Sequence, residues 1–551
     1  MKYIERRSLM TFSLLICAII LIICILLSKV THQLGVPSLL FFILLGMLIG
    51  SDGFFKVSFN DYHLTEQLCT IALIFIIFYG GFGTNWKMAK PVLKPSLLLS
   101  TLGVLLTAVI TGLFCHFILQ LEWIESLLIG AVISSTDAAS VFSILRSKKL
   151  NLKNGTASIL ELESGSNDPI AYMLTLILID LMNQSAQLAE IPFLLMAQIG
   201  YGTLFGIIIG IGTSVILKKI NFMVDGLETI FVLAIAILSF ALPTLIGGNG
   251  YLATYLTGII IGNHSISNKV TLVHFFDGLT GLAQILIFFI LGLLSFPSQM
   301  PSILLPSFII FIWLTFIARP LTTFCLLPSG NYTIPQKLLL SWSGLRGASS
   351  IVFAILVVLN SPDTSYDIFH ISFCICLMSV ALQGTLLPTI ARKLGMIDDN
   401  DNVLKTFTDY QEEEHLPLIK LFITPSHNWA NQKIHDLNLT DTLILMIQRN
   451  EQTLIPNGNT LILPGDELVM SGTSYHEDPN LMLTEIYIDN PTHPWLNKTI
   501  KELNLPSQTL IILIKRQDGT NITPKGDTFI QLHDILILTC ETCDQCTIAC
   551  H

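Results

Sequence analysis

Apolar residues fill the first 400 positions in long blocks, whereas beyond that point they come in short runs alternating with polar positions. A block of roughly 20 apolar residues crosses the hydrocarbon core of a bilayer as a helix. Such blocks fall near 9–28, 37–50, 65–83, 96–119, 126–145, 157–181, 192–217, 227–245, 250–262, 272–294, 303–325, 336–359 and 368–390, thirteen spans in all, of which 37–50 and 250–262 are short and flanked by glycine. The first block follows a basic MKYIERR segment, but it is long and no small-x-small site closes it. It is read as a retained span rather than a cleaved leader. The pattern predicts a polytopic helical membrane domain followed by a water-soluble α+β region.

Charge sharpens this division. Only 12% of the 551 residues are charged, about half of what a soluble domain carries. Residues 1–400 hold 20 Lys+Arg against 19 Asp+Glu, while 401–551 hold 9 against 20. So acidic a tail excludes nucleic acid as a partner. Lysine and arginine load alternate loops (Lys87, Lys90 and Lys94; Arg146, Lys148, Lys149 and Lys153; Lys218 and Lys219; Arg392 and Lys393), which marks those loops and the carboxy-terminal region as cytoplasmic. Thirteen crossings then put the amino terminus outside, against the sense of Lys2, Arg6 and Arg7. Seven of the eleven cysteines sit inside apolar blocks, which argues for packing rather than a disulfide framework.

Following a membrane domain over 1–395 and an acidic linker over 396–416, the chain repeats itself: WANQKIHDLNL (from Trp429) faces WLNKTIKELNL (from Trp495), and LILMIQRN faces LIILIKRQ. Each copy, 417–480 and 483–540, reads as strand, short helix, β-rich run, Pro-x-Gly turn, strand, turn and strand. These copies resemble RCK-C domains, the TrkA carboxy-terminal type that accompanies potassium channels and transporters. The resemblance implies a small regulatory ligand, cyclic di-AMP by preference, contacted by Arg449 and Arg516. No G-x-G-x-x-G appears, so no nucleotide-binding Rossmann half is expected. The tail 541–551 is cysteine-rich. With Cys540 it sets Cys540, Cys543, Cys546 and Cys550 at a spacing used for iron–sulfur ligation and open to zinc, or else forms an oxidisable end without metal.

Charges within the spans demand a partner or a task, because one at the bilayer centre costs roughly 2.5–3.5 kcal/mol to insert. Asp137, Glu161, Glu163, Asp168, Asp180, Asp277, Arg319 and Arg346 are in that position. Asp137 lies in ISSTDAASV, where clustered serines and Thr136 favour local unwinding, either to expose ligands to an ion or to cap a helix end. Glu163 and Asp168 are five residues apart, about 140° around an ideal helix, and so need different partners. Pro169 removes a backbone donor beside Asn167 and Asp168 and is expected to loosen that turn.

STD at Ser135–Asp137, ESGSND at Glu163–Asp168, ARP at Ala318–Pro320 and SGLRGA at Ser343–Ala348 together resemble a monovalent cation:proton antiporter of the NhaP type. The resemblance implies an inverted-repeat fold with two broken, crossing helices and no enzymatic activity. Asp168 would bind cation and proton in turn beside Asn167, with Thr136, Asp137 and Ser164 supplying ligands or polar support. Glu163 would pair with a buried arginine, Arg319 in preference to Arg346, and Arg346 would balance the crossing. In FYGGFGT (Phe78–Thr84), Tyr79 stands where many relatives carry an acid, which leaves a third carboxylate in doubt.

Competition of K⁺, or Na⁺, with H⁺ for one buried carboxylate gives electroneutral exchange, since Asn167 rather than a second aspartate is its neighbour. The resemblance further implies a homodimer in the cell membrane, in contact with lipid. Two other classes stay open. A cation channel regulated by the RCK-C-like region lacks a T-V-G-Y-G-like filter. An intramembrane enzyme would use Asp137 and Asp168 as a carboxylate pair.

Overall fold

The computed structural model describes residues 14–29, 37–148, 150–219, 225–264, 266, 269–328, 330–360, 364, 366–398, 418–425, 427, 429–437, 443–449, 452–471, 482–488, 493–503, 510–516, 521–522 and 524–540. They belong to two compact units, Met1–Glu414 and His415–His551.

The first unit is helical. Its principal helices are α1 (Leu14–Lys29), α2 (Ser38–Ile49), α3 (Tyr62–Gly83), α4 (Lys90–Leu119), α5 (Trp123–Val132), α6 (Ala138–Ser147), α7 (Thr156–Met182), α8 (Leu188–Lys219), α9 (Gly226–Leu245), α10 (Gly250–Gly262), α11 (Lys269–Leu294), α12 (Met300–Leu326), α13 (Ile334–Trp342), α14 (Ala348–Asn360) and α15 (Ile368–Lys393). Among the described residues seven of these are long and apolar enough to cross a membrane by themselves. The thirteen apolar blocks read from the sequence map onto this series because two of them, 126–145 and 336–359, are each a pair of half-helices, α5–α6 and α13–α14.

Apolar contact alone gives little drive for helix association in lipid, so close packing of small residues matters. Gly202, Gly206 and Gly210 form a one-sided stripe on α8 against α10; a Cβ on Gly206 would lie 2.9 Å from the Ala253 carbonyl oxygen. Three helices contain a π-turn, at Leu99–Gly103 in α4, Leu314–Ala318 in α12 and Ser379–Gly384 in α15. Such bulges re-aim the residues that follow, and that in α12 immediately precedes Arg319.

Pro169 does not loosen α7, contrary to the expectation from its missing donor: the helix runs unbroken from Thr156 to Met182. Neighbouring helices support it there. Asn249 Nδ2 donates to the Pro169 carbonyl (2.7 Å), and the Tyr255 ring packs where a side chain at Gly165 would stand. Past α15, Ile397 pairs antiparallel with Leu152, with Lys153 N donating to Met396 O (3.0 Å) and Asp398 N to Asn151 O (3.0 Å). The first residues of the acidic stretch are therefore docked on the loop between α6 and α7.

The second unit holds two four-stranded antiparallel sheets of one topology. Strands β1 (Leu418–Phe422), β2 (Leu443–Arg449), β3 (Gln452–Leu454) and β4 (Glu467–Ser471) lie in the order β1-β4-β2-β3. Strands β5 (Met482–Tyr487), β6 (Leu510–Lys515), β7 (Asn521–Ile522) and β8 (Ile535–Cys540) lie in the order β5-β8-β6-β7. A register shift recurs in both, at Ile444/Met446 and Ile511/Leu513. The short helix expected in each copy is a single 3₁₀ turn, Ile434–Asp436 and Ile500–Glu502. Gly465 (φ +94°) and His533 (φ +67°) occupy the same left-handed turn position, which glycine takes without strain and histidine tolerates less well.

Candidate functional site

The two breaks face each other. Between α5 and α6 the chain is non-helical around Ser135–Asp137, and between α13 and α14 around Gly344–Gly347. Asp137 N donates to Leu345 O across the crossing (2.8 Å). A helix end leaves carbonyls without intrahelical partners and carries partial negative charge. Arg346 meets both needs, with Nη1 donating to the Ser134 and Ser135 carbonyls (2.7 Å each) just past the end of α5. Its own N–H donates to Ser379 Oγ (3.0 Å), at the start of the π-turn in α15.

Both glycines of SGLRGA are required by what lies against them. A Cβ on Gly344 would sit 2.8 Å from Arg319 Nε, and one on Gly347 would sit 2.4 Å from Asp137 Cβ. Backbone hydrogen bonds pin both segments at the second contact, so Gly347→Ala is expected to force the crossing apart. We expect cation-dependent proton flux per molecule to fall at least roughly tenfold while the protein still accumulates, since overpacking of this kind costs about 1–3 kcal/mol. Flux in vesicles normalised to protein content checks this.

Along α7 the two carboxylates diverge as their 140° separation requires. Glu163 is buried and ion-paired with Arg319, also buried. Arg346 is engaged with the Ser134 and Ser135 carbonyls instead. Asp168 lies about 18 Å along α7 from its first residue and accepts a hydrogen bond from Ser135 Oγ. Ser135 Oγ also contacts Ser349 Oγ on α14 (2.9 Å), so both broken helices reach this one carboxylate. Asn167 is fully buried and its Nδ2 donates to Thr136 Oγ1, while Ser164 Oγ donates to the Thr136 carbonyl (2.9 Å). Asp137 caps α6, accepting from Ser140 Oγ (2.6 Å), and lines the cavity as well, so capping and exposure to an ion are compatible.

Asp168, Asp137, Thr136, Ser164 and Ser349 line that cavity, of about 430 Å³. Gly165, Glu161, Ser143, Tyr79, Gly80 and Asp277 line it as well. Each of these last residues lies toward the end of its helix that adjoins a lysine-bearing loop: α3 before Lys87, α6 before Lys148, α7 after Lys153, α11 at Lys269.

Several residues of the cavity were not assigned from sequence. Asp277, Thr280 and Gln284 stand at i, i+3 and i+7 on α11, and all three line it. Asp277 and Glu161 bring carboxylates into the space that Tyr79 also lines. A polar stripe of helical period on an otherwise apolar helix was the available signal. Ser349 carried none, because a serine in a span commonly bonds its own helix, and Ser135 was marked only as part of the STD motif and the unwound serine cluster. Asp180 is remote, at the other end of α7 beside Ser185.

In the second unit Arg449 and Arg516 have a structural occupation. Arg449 forms a bidentate pair with buried Asp466 (Nε–Oδ1 2.7 Å, Nη2–Oδ2 2.7 Å) and donates to Leu461 O. Burial pushes the Asp466 carboxyl up, but the Arg449 guanidinium and the Leu463 N–H together push it further down, below the usual carboxylate range. Arg516 stands against Asp534 in the second copy as a single ion pair (3.3 Å) and donates to Phe529 O (2.9 Å). The arginine and the Gly-Asp or His-Asp turn thus hold one another, which the matching positions in both copies made legible as a signature but not as a contact. Cys540 ends β8, while Cys543, Cys546 and Cys550 lie outside the described residues.

Comparison with known proteins agrees with this geometry. Residues 18–393 match the transmembrane sodium/hydrogen exchanger family, and 418–477 and 483–542 each match the TrkA-C domain. The chain is 33% identical over 465 residues to the K(+)/H(+) antiporter NhaP2 of Shewanella baltica, covering 83% of this chain and 80% of the relative. It is 36% identical over 387 residues to the K(+)/H(+) antiporter NhaP of Alkalimonas amylolytica (70% and 67%) and 27% identical over 402 residues to the Na(+)/H(+) antiporter 1 of Methanocaldococcus jannaschii (67% and 92%). The solved structure of the sodium proton antiporter MjNhaP1 from M. jannaschii at pH 8 superposes with a TM-score of 0.62 at 24% identity, over 70% of this chain and 99% of that one, and shares the fold. The chain belongs to the sodium/hydrogen exchanger family, as an NhaP-type monovalent cation/proton antiporter, a multi-pass membrane transporter and not an enzyme, with tandem TrkA-C domains.

Proposed function

We propose that the protein exchanges K⁺ for H⁺ one for one at Asp168, with Na⁺ as the alternative cation. One observation carries this reading: the Asp168 carboxylate lines the cavity, is contacted by the neutral hydroxyl of Ser135, and has the neutral amide of Asn167 rather than a second acid as its chain neighbour. Such a site is neutralised by one monovalent guest at a time, so moving it between the two sides exchanges the guests without net charge. The basic loops mark as cytoplasmic the helix ends near which Tyr79, Glu161 and Asp277 lie, which supports entry to the site from that side. Asp137, Thr136 and Ser164 are the further oxygen donors within reach of a cation there. Relatives named K(+)/H(+) antiporters and the TrkA-C domains support K⁺, and the Na(+)/H(+) relative keeps Na⁺ in view.

The protein would act in the cell membrane as a homodimer, with the TrkA-C domains in the cytoplasm binding a small regulatory nucleotide such as cyclic di-AMP. Because Arg449 and Arg516 already bond within their own modules, they would shape such a site through their turns more than by a free guanidinium. The test is proton movement in reconstituted vesicles under an imposed pH gradient, with K⁺, Na⁺ and Rb⁺ compared. Saturable, cation-dependent flux that builds no membrane potential is expected. Flux that builds one would refute one-for-one exchange, and single-channel currents would favour the regulated channel.

A further inference from the structure

Ser349 lies in the first turn of α14, on the second broken helix, with its side chain buried and lining the cavity. Its hydroxyl meets that of Ser135 (2.9 Å), and Ser135 in turn meets Asp168. Chemistry fixes the direction of this chain. An ionised carboxylate only accepts, so Ser135 gives Asp168 its single hydrogen. The Ser135–Ser349 bond then uses the hydrogen of Ser349, which also lies within hydrogen-bonding reach of Asp168. Ser135 is held on its backbone side as well, since its carbonyl accepts from Arg346 Nη1 (2.7 Å). With one lone pair taken by Ser349, Ser135 keeps one free oxygen lone pair next to the carboxylate, a hard donor of the kind an alkali cation takes.

We propose that Ser349 is a positioning residue for the transported monovalent cation. By donating to Ser135 it fixes the Ser135 hydroxyl as a donor to Asp168 and leaves its second lone pair as a ligand, which sets the site's affinity for the cation. The effect is transmitted from α14 to α7 across the break in α5–α6. The inference rests on exchange at Asp168.

Ser349→Ala, made in the full chain and reconstituted in vesicles, tests it. KM for K⁺ at fixed pH is expected to rise roughly 3- to 10-fold, the worth of one hydroxyl hydrogen bond, with kcat within about twofold of wild type. Ser135→Ala should raise KM at least as far. In the Ser135→Ala background Ser349→Ala should raise KM by less than it does alone, because part of its effect runs through that hydroxyl. A KM for Ser349→Ala equal to wild type, a fall in kcat alone, or full additivity of the two substitutions would overturn the proposal. If Ser135→Ala is inactive, the KM of Ser349→Ala decides by itself. Failure of the underlying reading looks different: Asp168→Asn would still exchange, whereas failure of this inference leaves Asp168→Asn silent and Ser349→Ala indistinguishable from wild type.

Discussion

Asp168→Asn should lose cation-dependent proton flux by roughly 100-fold or more while leaving the protein folded and abundant. The substitution keeps the volume and a hydrogen-bond acceptor for Ser135, so the local structure has no reason to change. What disappears is the negative charge, and with it the reason for either a proton or a cation to enter a site set in the membrane-spanning part of α7. Asp137→Asn, by contrast, still caps α6 through its amide oxygen and should retain partial exchange, because Asp137 is a supporting oxygen donor in the same cavity. Flux in reconstituted vesicles, normalised to protein, separates the two. Undiminished exchange by Asp168→Asn would remove the site from this carboxylate altogether.

The second large effect concerns accumulation rather than transport. Glu163 and Arg319 are both buried, and removing either leaves the other charge without its counterion, at a cost of about 3–5 kcal/mol. Whole domains are stable by only about 5–15 kcal/mol, so Glu163→Gln and Arg319→Met singly should accumulate poorly in membranes and aggregate at lower temperature in detergent. Replacing the pair by apolar residues of similar volume, Glu163→Leu with Arg319→Met, is expected to restore most of the protein, since a buried pair is costly to break yet often neutral to exchange whole. Normal accumulation of the single variants would show that the pair is not needed for the fold. Recovery of the double variant in abundance but not in flux would give the pair a part in the transport cycle.

The membrane region was legible because lipid restricts its solutions so severely. Spans must be long and apolar and must satisfy their own backbone, so the block ends that fall on described residues could be placed from hydropathy alone to within a few residues of the helices observed. The clustered serines of ISSTDAASV and the paired glycines around Arg346 announced the two breaks for a local reason, poor helix formers in the middle of a span. Pro169 shows the limit of the same logic. Its missing donor was read as a weak turn, but neighbouring residues, Asn249 at the Pro169 carbonyl and Tyr255 against Gly165, keep the helix intact.

In the soluble part, internal repetition gave the two modules, whose sheets share one strand order. It did not reveal that Arg449 and Arg516 turn inward to Asp466 and Asp534, because a guanidinium at a fixed repeat position looks the same whether it faces a ligand or its own fold.

By itself, then, the sequence determined the extent of the apolar helices, the places where two of them come apart, the tandem modules, and the angle separating Glu163 from Asp168. All of these are set within one stretch of chain by length, period and propensity. Tertiary structure supplied the contacts that the family resemblance had only led one to expect, Glu163 with Arg319 and Arg346 with the carbonyls ending α5. It also decided that Ser349 reaches Asp168 through Ser135 and that Asp277, Thr280 and Gln284 share its cavity. Helical period fixes the direction in which a side chain points, but which neighbour waits there depends on how separate helices pack, and contacts spanning more than 150 residues of sequence leave no local trace.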